Sequence, residues 1–124
     1  EIKSKKFDFV VVQQGPSSQV ESRKLLFEGG ERFNTLCKLN DAQLAFFMVW
    51  PSRLYYHTFD AVIKNHTDVA AEFNAILCPV GKVWKNYFDS TSDYSYYGQD
   101  EFHPSLTGSK EAARIIVNSL FNER

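Results

Sequence analysis

The stretch Phe7-Asp8-Phe9-Val10-Val11-Val12-Gln13-Gln14-Gly15-Pro16-Ser17-Ser18-Gln19 decides the fold class. Its first seven residues form a β-branched run of strand length without polar alternation. That is the pattern of a strand covered on both faces, as in a parallel sheet. The following Gly, Pro and serines make a turn, and Ser17 or Ser18 can cap the helix that follows. Helical periodicity over residues 20–28 is expected to break at Gly29-Gly30. It resumes for a turn or two through Phe33, Leu36 and Cys37 and stops at Asn40-Asp41.

The same grammar repeats. Gln43-Leu44-Ala45-Phe46-Phe47-Met48-Val49-Trp50 is a second apolar strand, ended by Pro51. A helix with Thr58 as cap then places Phe59, Val62, Ile63, His66, Ala70 and Phe73 on one face. Ala75-Ile76-Leu77-Cys78-Pro79-Val80 is a short third strand, closed by Gly81, and a short helix over 82–88 packs through Val83, Trp84 and Tyr87. A last helix presents Ala113, Ile116, Val117, Leu120 and Phe121, with Thr107 or Ser109 as its cap. Strand and helix alternating three times imply right-handed crossovers and a parallel sheet under helices, an α/β fold. Functional groups in such folds gather beyond the carboxyl ends of the strands. Residues 15–19, Trp50 to Ser52 and Gly81 all fall at that edge.

Bulk properties narrow the function. The 124 residues suffice for one domain, and 44% apolar with 23% charged residues is ordinary globular composition. A net charge of −1 with interspersed signs excludes the basic stripe that nucleic acid or an anionic membrane would need. No apolar run has membrane-spanning length. Cys37 and Cys78 sit in apolar segments, as buried thiols outside any disulfide, compatible with a reducing compartment. The chain opens without an initiator methionine, which points to a removed amino-terminal segment. The Val-rich first strand would be an uncharged sheet edge, which proteins seldom leave bare. Further strands are therefore expected outside this chain, with a second chain over the edge as the alternative.

The chemistry concentrates in Asp100-Glu101-Phe102-His103-Pro104-Ser105-Leu106-Thr107-Gly108. A carboxylate three residues before a histidine, on a Pro- and Gly-bounded turn, can accept from one imidazole nitrogen and leave the other to take a hydroxyl proton. The bland alternative is a loop Asp capping a turn beside a surface His. His66 lies on an apolar helical face, where a hydrogen-bonded, partly buried histidine is the default, and His57 enters a helix. Neither has metal-ligand spacing. Asn65-His66-Thr67 matches a glycosylation acceptor but falls mid-helix.

Val10 to Ser18, Phe47-Met48-Val49-Trp50-Pro51 and Asp100 to Gly108 together resemble the later conserved blocks of the SGNH/GDSL hydrolase superfamily, most closely bacterial members with Gln-Gly-Pro-Ser-Ser after the third strand. The resemblance runs from about residue 7 to 121. It implies a flavodoxin-like three-layer α/β/α fold, with residues 1–124 as the carboxyl-terminal portion of one domain. It also implies esterase or lipase-like activity on a small ester, with no cofactor and no metal. Asp100 and His103 would be the acid and base of a catalytic triad. Gly15 and Ser17 would fall on the oxyanion-hole Gly and Asn. Ser17 is a shorter donor than Asn, and Gln14 and Gln19 are the alternative donors. Trp50 and Tyr97 are candidate substrate-rim residues.

The family's block with the nucleophilic serine has no counterpart here, so that serine is expected outside the chain. Ser17 fails as a substitute, because Gln19 stands where a nucleophile elbow needs a small residue. A non-catalytic module that keeps the fold without the nucleophile is the competing reading. A flavin- or nucleotide-binding domain would need a Gly-rich phosphate loop that no strand here supplies.

Overall fold

A computed structural model describes residues 7–121. In chain order the elements are β1 (Phe9–Val12), α1 (Val20–Leu39), β2 (Gln43–Phe47), a 3₁₀ segment (Arg53–Thr58), α2 (Phe59–Glu72), β3 (Ile76–Cys78), α3 (Val80–Thr91) and α4 (Leu106–Phe121). The strands form one parallel sheet in the order β1-β2-β3, with Val10 opposite Leu44 and Phe47 opposite Cys78. Alternation along β2 sorts its side chains into two layers. Leu44 and Phe46 pack with Leu26 and Cys37 of α1 and Val69 and Ala70 of α2, while Ala45 packs with Cys78 and Leu120 of α4. The result is the expected α/β/α architecture. No helix among the described residues is long and apolar enough to cross a membrane.

Beyond the carboxyl ends lies a third cluster, built on aromatics. Trp50 stacks on Trp84 with ring centroids 3.8 Å apart, and Phe59, Phe88, Tyr97, Ala112 and Ile115 close around them. This cluster joins α2, α3 and α4 directly beneath the turn that carries Asp100 and His103.

Several local expectations change. The first helix runs unbroken through Gly29-Gly30. A glycine costs a helix only about 1 kcal/mol, and Gly30 lies tightly against the core. A Cβ there would lie 2.9 Å from Phe73 and 3.1 Å from Phe46. Neither Ser17 nor Ser18 caps this helix. Gln19 is the cap residue, its N–H bonded to Ser22 Oγ at 3.0 Å. Thr58 holds the cap position of α2, but its hydroxyl donates back to the Tyr55 carbonyl. Ser105 caps α4, accepting from the Gly108 N–H at 3.1 Å, so Thr107 and Ser109 lie inside the helix.

The buried face of α4 is Gly108, Ala112, Ile115, Ser119 and Leu120, with Ala113, Val117 and Phe121 exposed. Its apolar residues thus extend beyond the face packed on the sheet. β1 is likewise not covered on both faces: Val11 is 41% exposed, and no further strand among the described residues pairs with its outer side. Cys37 and Cys78 are both buried and outside any disulfide, and burial pushes the Cys37 thiol up.

Candidate active site

Asp100 and His103 stand on a tight hairpin. Tyr97 bridges Pro104, the Gly98 N–H donates to the His103 carbonyl at 2.6 Å, and the Glu101 N–H donates to Gly98 at 3.0 Å. Glu101 takes the left-handed conformation at φ 58°. Two side supports fix the hairpin against the body of the protein. Trp50 Nε1–H donates to the Phe102 carbonyl at 2.8 Å, and the Arg53 N–H donates to the Glu101 carbonyl at 2.9 Å. Gly108 lets α4 begin directly under the hairpin, since a Cβ there would fall 2.2 Å from the Tyr96 carbonyl oxygen.

Within this frame the Asp100 carboxylate accepts three hydrogen bonds. Oδ2 takes one from His103 Nδ1–H at 2.6 Å, and Oδ1 takes the N–H groups of Phe102 and His103 at 2.9 Å each. The bond from His103, then those from the two amides, hold the Asp100 carboxyl down to about 2. An ionised Asp100 requires a proton on Nδ1, so in neutral His103 the basic nitrogen is Nε2. Such an arrangement is chemically able to act as an oriented base through Nε2.

A cleft of about 420 Å³ opens beside the pair. One wall is the loop after β1, including Gly15, and the other is the His103 hairpin. Phe47 and Trp50 lie between them, with Ala112 and Ile116 of α4 below. Gly15 stands open, with nothing within 4 Å of an added Cβ. Ser17 is placed differently: it is 6% exposed, at φ 62°, and its hydroxyl donates to the Gly15 carbonyl at 2.7 Å while accepting from Gln14 Nε2 at 2.8 Å. Its hydroxyl proton is therefore committed within the loop and does not face the cleft. Gln14 lines the cleft but spends its amide on Ser17 and the Ser22 carbonyl, and Gln19 is absent from the lining.

Trp50 lines the cleft, although the residue is 6% exposed and its indole N–H supports the hairpin. Tyr97 is corrected from rim to core. It is buried against Phe88, and its hydroxyl donates to the Pro51 carbonyl at 2.8 Å. His57 is exposed in the 3₁₀ segment. His66 is fully buried, not partly, its Nδ1 donating to the Val62 carbonyl at 2.8 Å, and burial lowers its basicity. Sequence reasoning missed Asn65, whose side-chain amide donates to the Ser17 carbonyl at 2.7 Å. The only signal was a polar residue on the buried side of an amphipathic helix.

No protein-family model matches this sequence, and no curated protein does. Solved structures do. A candidate SGNH hydrolase from Slackia heliotrinireducens superposes with a TM-score of 0.81 at 22% identity, over 96% of this chain and 68% of that one. A DUF4886 family protein from Bacteroides uniformis gives 0.74 at 18% identity, over 98% and 53%. A catalytic mutant of Axe2, an acetylxylan esterase from Geobacillus stearothermophilus, gives 0.66 at 17% identity, over 94% and 60%. The chain thus spans between about half and two-thirds of the length of these structures. At such identities the likeness establishes the fold, the SGNH hydrolase α/β/α architecture that the sequence blocks resemble.

Proposed function

We propose that this chain supplies the acid–base half of a serine ester hydrolase of SGNH type. The observation that carries the proposal is the 2.6 Å bond from His103 Nδ1 to a carboxylate held ionised by two further amides, at the mouth of an apolar cleft. A serine on polypeptide outside this chain attacks the ester carbonyl. His103 Nε2 takes the serine proton and returns it to the leaving alcohol, while Asp100 orients the ring and stabilises its charged form. Gly15 lines the cleft with open space around it, and in this reading its N–H serves the developing oxyanion.

The same reading gives the uncovered surface a purpose. The outer side of β1, with Val11, and the exposed Val117 and Phe121 of α4 form the seat for a further strand and helix. That added segment would carry the serine to the His103 side of the cleft. The neighbouring structures being longer than this chain is consistent with such a segment. The candidate hydrolase and the acetylxylan esterase among these neighbours favour an acylated small molecule as substrate.

The test is hydrolysis of short acyl esters by the protein extended on its amino-terminal side. The expected result is measurable turnover that falls at least about a thousandfold in His103→Ala. Undiminished turnover in that variant overturns the mechanism. The 124-residue chain alone is expected to be inactive, and activity there would place the nucleophile within it. An extended protein without ester hydrolysis would favour the non-catalytic module.

A further inference from the structure

We propose that Asn65 is a positioning residue for the oxyanion side of the cleft, acting from α2 through the Gly15 loop. The inference rests on the ester-hydrolase reading and identifies a residue that sets its efficiency. Ser17 holds the loop in a left-handed turn at φ 62°, a conformation that a non-glycine residue keeps only when its surroundings enforce it. Two bonds do so from within, Ser17 Oγ–H to the Gly15 carbonyl and Gln14 Nε2–H to Ser17 Oγ. The third comes from 48 residues away, where Asn65 Nδ2–H donates to the Ser17 carbonyl at 2.7 Å in a buried setting.

The orientation of that amide is itself fixed. Arg23 Nη1–H donates to Asn65 Oδ1 at 2.7 Å, so the oxygen must face the guanidinium and the NH₂ must face Ser17. Arg23 is held in turn by Asp68 at 2.8 Å, and Lys64 approaches the same carboxylate oxygen at 3.0 Å. Arg23 belongs to α1 and the other three to α2. The loop is thereby tied to both helices that cover the far face of the sheet. An oxyanion donor is effective only when its N–H waits at the position the charge will occupy. The Asn65 bond holds the turn that begins at Gly15, and so determines where that N–H stands.

Asn65→Asp is the informative variant, because it keeps the size and the Arg23 contact but places an acceptor against the Ser17 carbonyl. In the extended, ester-hydrolysing protein, kcat is expected to fall roughly tenfold to a hundredfold, with KM for a short ester changed less than about twofold. Binding of a boronic acid that mimics the tetrahedral oxyanion should weaken in parallel. The Gly15 amide resonance should shift while the Phe102 and His103 amides stay in place. Asn65→Ser, which restores a shorter donor, should recover part of the rate even if Asn65→Asp folds poorly.

An unchanged kcat in folded Asn65→Asp overturns the proposal. So does a loss confined to KM, or equal loss in both variants with an unmoved Gly15 resonance. Full activity of His103→Ala would instead overturn the hydrolase reading, and the Gly15 resonance would still test the Asn65 link.

Discussion

The two walls of the cleft are built by opposite means. On the His103 side, the bonds that shape the turn itself lie within about a dozen residues of one another, and Trp50 and Arg53 anchor the finished turn to the body. Asp100 grips its own turn, Gly98 pairs with His103, and Ser105 starts α4 directly below. On the Gly15 side, the decisive bond reaches from Asn65, and its orientation comes from Arg23. Local bonds close small loops and are nearly self-sufficient, whereas remote bonds exist only once the layers have packed. The internal shape of the His103 turn should therefore tolerate damage elsewhere in the fold better than the Gly15 loop does.

The sharpest way to break this contrast is at Asp100. Asp100→Asn leaves the shape of the turn but offers no carboxylate to His103 Nδ1–H, so the rate of ester hydrolysis should fall about ten-thousandfold. Thermal unfolding should move little, since the carboxylate is exposed. A loss no larger than that of Asn65→Asp would show that the two walls carry similar weight.

Next in size is the junction of the hairpin with α4. Gly108→Ala must move either the Tyr96 carbonyl, 2.2 Å from the new Cβ, or the first turn of α4. Strain of this kind costs about 1–3 kcal/mol, measurable as a drop in chemical unfolding midpoint, with hydrolysis lowered by the displaced His103. Wild-type stability in Gly108→Ala would mean that the hairpin is not seated on α4 as described.

The same contrast explains what the sequence could reveal. Asp100 and His103 were legible because both ends of their bond lie in one turn, with Pro104 and Gly108 marking it. The parallel sheet was legible because three uninterrupted apolar runs alternate with helical periodicity. Asn65 was not, because nothing near it names Ser17 as its partner. The continuity of α1 was hidden for the same reason: Gly30 looks like a breaker until Phe46 and Phe73 are brought against it. Tyr97 looked like a rim residue from its place in a loop, yet that loop folds its ring inward onto Phe88. Ser17 matched a strand-end position, and only the left-handed turn shows its hydroxyl directed back at Gly15.

A smaller effect is expected at Arg53, the outer support of the hairpin. Its guanidinium meets Glu101 at 3.3 Å in an exposed pair and lies over the half-buried Tyr94 ring at 3.9 Å. Its backbone N–H, which holds the Glu101 carbonyl, survives substitution. Arg53→Ala should thus cost no more than about 1 kcal/mol in denaturant unfolding. A larger loss would mean that the hairpin depends on its distant neighbours as the Gly15 loop does.

The mildest probe is acid, because it removes one local support without any substitution. Asp100 in the folded protein is held at about 2, below the ordinary carboxylate value near 3.9, by His103 and the amides of Phe102 and His103. A depressed folded value means that the carboxylate stabilises the turn fully above about pH 4, and that this support is lost as pH falls through about 2. The amide resonances of Phe102 and His103 should therefore titrate together with a midpoint near 2. The bonds made directly to Ser17 contain no titratable group, and the carboxylate in their network, Asp68, acts on the loop only through Arg23 and Asn65. A Phe102 midpoint near 4 would show that Asp100 is not gripped by its own turn, and the self-sufficiency of the His103 wall would go with it.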